Sequence, residues 1–152
     1  MEDVSQPSMH EGEVPTSVGL VRKLLAAQFP QWADLPVVPV RSSGTDNAIF
    51  RLGNGLSVRL PRLDWAVGQI EKEHRWLPRL APLLPLPIPE PLEQGEPGEG
   101  YPYPWAVHRW LEGENLSADR LVDPVAAAHD LAAFVLALRQ IPAAADAPKA
   151  SR

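Results

Sequence analysis

Arg41-Ser42-Ser43-Gly44-Thr45-Asp46-Asn47-Ala48-Ile49-Phe50-Arg51-Leu52, followed by Gly53-Asn54-Gly55 and Leu56-Ser57-Val58-Arg59-Leu60, predicts a strand end, a small polar loop, a second strand, a tight turn and a third strand that carries a cation. Gly53-Asn54-Gly55 supplies the positive backbone angles that a hairpin connection requires. Small residues let backbone amides approach an anion, and a basic side chain on the neighbouring strand can reach the same charge, so this hairpin is a candidate phosphate cradle. Nothing after it supplies the acid, base or metal ligand that would let a bound phosphate react.

Composition admits that reading and excludes others. A chain of 152 residues with 45% hydrophobic content makes one domain with a core. Zero cysteines exclude a disulfide framework and a thiolate metal site. A net charge of -5, without a basic patch or basic helix, argues against nucleic acid and acidic membranes as partners. No apolar run approaches the roughly 18 residues that span a bilayer. Glu2, Asp3, Glu11 and Glu13 stand where a signal peptide would be positive, so a cytoplasmic protein is expected.

Periodicity and punctuation organise the rest. Residues 1–15, polar with Pro7 and Pro15, predict a flexible leader. Val18, Val21, Leu24, Leu25 and Gln28 share a three-and-four spacing, predicting a helix over 17–29 capped by Thr16 or Ser17 and stopped by Pro30. The strand meander covers 37–60, and a second helix is predicted over 65–80, capped by Asp64, with Pro78 bending or shortening its last turn. Prolines alternate with aliphatic residues from Pro82 to Pro104 and force extended chain. Within that stretch Ile88–Gln94 reads as an edge strand, 95–100 as an exposed turn and Pro104–Leu111 as the returning strand. Gly113 breaks the chain, and Pro124 opens a third helix over 124–141 with Leu131, Phe134, Val135, Leu138 and Ile141 along one face. Residues 142–152 predict a disordered tail. The fold class is α+β, a five-stranded antiparallel sheet with flanking helices.

Glu73 falls in the otherwise apolar series Ile70, Glu73, Leu77, Leu80. A carboxylate turned toward a core needs a cation, because desolvating an unpaired charge costs several kcal/mol, and Arg59 is the nearest candidate in the order of elements. The plainer alternative leaves Glu73 wet at the edge of the stripe. Plain readings also fit the five tryptophans as packing aromatics, His108 as a satisfied interior histidine, the proline run as a connector, and Glu112 and Glu114 as solvated.

In this order and spacing, Ser43-Gly44-Thr45-Asp46-Asn47 with Ile49-Phe50-Arg51-Leu52, Val58-Arg59-Leu60-Pro61, Glu73-His74-Arg75-Trp76-Leu77 leading to Leu86-Pro87-Ile88-Pro89, and Trp110-Leu111-Glu112-Gly113-Glu114 resemble the amino-terminal lobe of the aminoglycoside phosphotransferase and choline kinase-like family. The likeness covers about residues 17–141. It implies a protein-kinase-like lobe over 16–111, with the hinge and first helix of a second lobe over 112–141. Ser42, Ser43, Gly44, Thr45, Asp46 and Asn47 would then cover the phosphates of ATP or GTP. Arg59 would replace the strand lysine that holds them, and Glu73 would orient that cation. Arginine departs from the family's lysine but keeps a charge and planar donors for phosphate oxygens. His108-Arg109-Trp110-Leu111 would be the hinge, with the Arg109 carbonyl and Leu111 amide pairing with the base.

The family next requires a His-Gly-Asp catalytic loop, an asparagine a few residues later and a magnesium-binding aspartate, and none of the four histidines has an aspartate at the required second position. Magnesium is expected only in a full-length enzyme, and this chain is expected to be inactive, a truncated product. Ala132, Ala133, Leu136 and Ala137 make the third helix apolar on its second side too, which predicts neighbours all round and self-association through 124–141. Three functions stay open: the nucleotide-binding lobe of a small-molecule kinase that phosphorylates a hydroxyl, a non-catalytic nucleotide- or protein-binding module, and a structural fragment that binds nothing. The acceptor, and ATP against GTP, are undetermined.

Overall fold

Five antiparallel strands order the molecule in the computed structural model, which describes residues 12–41, 46–117, 119–144 and 147. They are β1 (Val37–Pro39), β2 (Asn47–Leu52), β3 (Leu56–Pro61), β4 (Pro91–Gly95) and β5 (Trp105–Arg109), arranged β1-β2-β3-β5-β4. Three helices accompany them, α1 (Val18–Gln28), α2 (Val67–Leu80) and α3 (Pro124–Gln140). The β2–β3 hairpin turns at Gly53, whose φ of 57° is the left-handed conformation expected of that position.

Successive side chains of a strand point to opposite faces, and directly opposed residues share a face. Val58 stands opposite both Phe50 and Val107, which puts all three on one side of the sheet. There they pack with Leu60, Leu52 and Trp105 against Val21, Leu24 and Leu25 of α1. Ile49, Arg59 and Ala106, with Ser57 and His108 beside them, occupy the opposite face, over which α2 lies. The core therefore sits between the sheet and α1, while the α2 side carries the polar groups.

α1 begins as expected, with the Ser17 hydroxyl accepting the Leu20 amide at 3.2 Å. Its last residue departs from the apolar assignment. The Gln28 amide brackets the backbone of Glu96, accepting from its N–H at 2.8 Å and donating to its carbonyl at 2.9 Å, and so ties α1 to the β4–β5 connection. α2 is corrected at its start: residues 64–66 form a 3-10 turn, and the helix begins at Val67 without a side-chain cap, so Asp64 heads the turn and not the helix. Pro78 is accommodated inside α2, which ends in another 3-10 turn at residues 81–83.

The proline-rich stretch is extended, but β4 starts three residues later than expected, at Pro91. β5 is shorter than 104–111. The turn expected over 95–100 is partly buried: Gly95 is strand, and only Glu99 and Gly100, with φ of 53° and 82°, make a tight two-residue reversal closed by reciprocal Gly98 and Tyr101 backbone bonds. Tyr101 then enters the core and donates its hydroxyl to the Pro61 carbonyl. Burial, with Tyr103 adding to it, pushes that hydroxyl far above the ordinary phenol range.

Residues 13–15 are anchored: Val14 donates to the Arg62 carbonyl at 2.9 Å, and Glu13 forms a buried ion pair with Arg62 at 3.4 Å. The rest of the leader and most of the expected tail lie outside the described residues. Among the described residues no helix is long and apolar enough to cross a membrane.

Candidate functional site

The α2-facing side of the sheet gathers the charged groups singled out in the sequence. Arg59 leaves the middle of β3, flanked by Ile49 and Ala106 across the ladder, and cannot turn into the α1 core without reversing the strand's alternation. One turn into α2 beyond the buried Ile70, Glu73 comes down over the same face. Arg59 Nη1 donates to both carboxylate oxygens, at 2.7 Å to Oε1 and 2.6 Å to Oε2. The pair is sheltered, its side chains 24% and 21% exposed. Glu73 is thus the inward, cation-bound carboxylate and not the solvated one.

The grip is end-on. A single guanidinium nitrogen takes the whole carboxylate, and among the described residues Nη2 makes no hydrogen bond, while Nε is buried without a partner. A cation neutralised through one nitrogen still presents donors on the others, and such a group can accept a second anion.

His108, from β5, completes the cluster. It is buried, with Nε2 unpartnered and 3.7 Å from Glu73 Oε2. Burial, then the charge of Arg59, then His74, push its pKa down to about 4, so the imidazole is neutral near pH 7. Its interior position agrees with the sequence reading, but its unpartnered Nε2 does not. No spacing pattern marks His108 as a neighbour of Glu73. Only the strand register does, by setting it opposite Ser57 and two pairs along from Arg59, on the same face.

At the upper end of β2, Asp46 accepts the Arg62 amide through its backbone carbonyl at 2.8 Å. Asn47 is buried with its Oδ1 unpartnered. A buried carbonyl oxygen calls for a donor, which a phosphate oxygen is not, so in this side-chain orientation that oxygen offers a phosphate nothing. Ser42, Ser43, Gly44 and Thr45 lie outside the described residues.

The end of β5 presents backbone. Trp110 donates its N–H to the Gly55 carbonyl at 2.8 Å, toward β3. Alternation turns the backbone groups of Arg109 the other way, and its amide meets the Glu90 carbonyl at 2.8 Å. The Arg109 side chain pairs with Glu90 at the surface at 2.7 Å.

Glu112 and Glu114 are exposed, as expected of solvated residues, yet each has a cation: Arg51 at 2.8 Å and Arg120 at 3.1 Å. Arg51 also stacks on Trp110, 4.8 Å from its ring centre, and so fastens the segment after β5 to the sheet. Trp105 is a core aromatic, Trp32 packs against the core from its margin, and Trp65 is 62% exposed, so the packing role does not extend to all five tryptophans. An open depression of about 350 Å³ beside Glu73 is lined by Lys72, Glu73, Trp76, Leu77 and Leu80.

A family model described as the phosphotransferase enzyme family matches residues 37–152. The fold is similar to that of solved aminoglycoside phosphotransferases. One is APH(2")-IIIa in complex with GDP and kanamycin, with a TM-score of 0.70 and 24% identity over 80% of this chain and 42% of that one. Another is ADP-bound APH(2'')-Ib, at 0.60 and 17% over 82% and 40%. A third is the streptomycin–ATP complex of APH(2")-IIa, at 0.59 and 18% over 85% and 41%. This chain thus spans about two fifths of their length. No curated protein matches it.

Proposed function

The chain belongs to the phosphotransferase enzyme family, and from that premise we propose that it is the nucleotide-binding part of a small-molecule kinase. Its five-stranded antiparallel sheet with flanking helices is the kinase-like fold of the aminoglycoside phosphotransferases. The observation that carries the reading is Arg59 held end-on by Glu73. Glu73 fixes the guanidinium through Nη1, and Nη2 reaches the phosphates of ATP or GTP. Ser42 to Thr45, with Asp46 and Asn47 at their end, cover those phosphates. The Arg109 carbonyl and Leu111 amide pair with the purine edge. Solved relatives described as GDP, ADP and ATP complexes support this assignment.

In a whole enzyme of this kind the product is a phosphorylated hydroxyl, and kanamycin and streptomycin in the relatives' complexes make an aminocyclitol-like acceptor the first to try. Magnesium would neutralise the nucleotide phosphates in that chemistry, and no group of three His, Asp or Glu that could hold a metal occurs among the described residues. Arg59 and Glu73 bind and orient, and neither removes the acceptor's proton. By itself the chain binds nucleotide without turning it over.

Titration with magnesium ATP and magnesium GTP tests this. Ligand at one hundred times its Kd adds about 2.7 kcal/mol of stability, so the melting temperature rises with nucleotide. Unchanged melting across millimolar nucleotide overturns the proposal. A protein-interaction module is the second reading, favoured by the exposed apolar residues Leu131, Val135, Leu136 and Leu138 of α3.

A further inference from the structure

Accepting Arg59–Glu73 as the phosphate grip, we propose that His108 is a positioning residue for it. Its Nε2–H faces the Glu73 carboxylate and keeps that carboxylate turned onto Arg59 Nη1, so that Nη2 stays free for the nucleotide.

The geometry supports this from three sides. His108 is 5% exposed, and its unpartnered Nε2 lies 3.7 Å from Oε2, the oxygen that Nη1 also holds at 2.6 Å. A ring lone pair aimed at a carboxylate is repulsive, so the proton belongs on Nε2. The separation is longer than a formed hydrogen bond, but a small rotation of Glu73 closes it. Without the imidazole, Arg59 alone would hold Glu73 against the water to which its side chain is already 21% open.

Stability gives no reason for a histidine at this position. An unpartnered buried polar atom costs about 1–3 kcal/mol, and leucine would fill the site at no such cost. The ring's neutrality matters as well. A cation at residue 108 would compete with Arg59 for Glu73, and burial with Arg59 and His74 nearby keeps the imidazole uncharged near neutral pH.

Nitrogen-15 NMR of the imidazole, in the full chain, reads the claim directly. The Nε2–H tautomer is expected in the wild type and a mixed tautomer in Glu73→Ala, whereas an Nδ1–H tautomer in the wild type overturns the proposal. ATP titration gives the second measurement. His108→Leu should melt no lower than the wild type while its Kd rises roughly three- to tenfold, the scale of one weak contact to a charged group. His108→Gln, whose amide N–H can reach the same carboxylate, should stay within about twofold. A folded His108→Leu that binds ATP like the wild type also overturns it. If the wild type binds no nucleotide, the phosphate-grip reading fails, and the tautomer with its response to Glu73→Ala still decides the placement of His108. The tautomer decides likewise if His108→Leu does not fold.

Discussion

Glu73 takes a single nitrogen of Arg59, and two consequences at the scale of residues follow from that asymmetry. Arg59→Met should raise the Kd for ATP at least about tenfold, since charge-assisted hydrogen bonds contribute about 1.5–3 kcal/mol each, and should also leave Glu73 without its cation. The stability loss should be about 1–2 kcal/mol, below the figure for a fully buried pair because about a fifth to a quarter of each side chain meets solvent. Urea unfolding and nucleotide titration of the same variant check both. The second consequence concerns acid. The unfolded His108 imidazole takes a proton near its ordinary 6.5 and the folded one only at about 4, among Arg59 of β3 and Glu73 and His74 of α2. Between those values the unfolded chain binds more protons, so stability falls as pH drops from about 6.5 toward 4, by about 3 kcal/mol in all. Urea midpoints across that range should show the fall, and His108→Gln should flatten it.

Among elements, the β4–β5 hairpin is the most constrained. A Cβ built on Gly95 would stand 2.1 Å from Trp105 Cε2, so the indole lies where any other residue would need space. Trp105 has no room to withdraw: it is fully buried, edge-on to Phe29 at 5.2 Å, with its N–H on the Glu96 carbonyl. Gly95→Ala should therefore destabilise the chain by about 1–3 kcal/mol or more, read as a lower urea midpoint at unchanged slope. The sequence held much of this architecture in plain view. Alternation and Gly53-Asn54-Gly55 marked β2 and β3, three-and-four spacing marked α1, and an apolar stripe interrupted by Glu73 marked both α2 and the partner of Arg59. What stayed hidden depends on contacts between distant segments. Gln28 at the apolar spacing caps a remote backbone, Gly95 is needed for an indole ten residues on, and His108 meets Glu73 only through strand register. Short-range pattern cannot carry such information, and the start of α2 slipped because local turn preference overrode a capping signal at Asp64.

At the scale of the molecule, α3 stands apart. Asp123 caps it by accepting the Val125 and Ala126 amides, yet none of its residues is buried, and Leu131 and Leu136 are more than half exposed. If those side chains are covered by a second copy, the wild-type chain should elute as an oligomer and a Leu131→Glu/Leu136→Glu variant as a monomer in size-exclusion chromatography. A wild-type monomer at every concentration removes the self-association reading. The two-sided sheet has a wider consequence. Along β3, Val58 and Leu60 belong to the packed interior while Ser57 and Arg59 belong to the opposite surface, and β5 repeats the division with Val107 against His108. Every second letter of these strands thus lies outside the core that α1 covers. Selection on the packed interior alone would register little of what happens at residues 57, 59 and 108, and a lineage that has given up its chemistry could keep its shape, at some loss of stability, while those alternate positions drift.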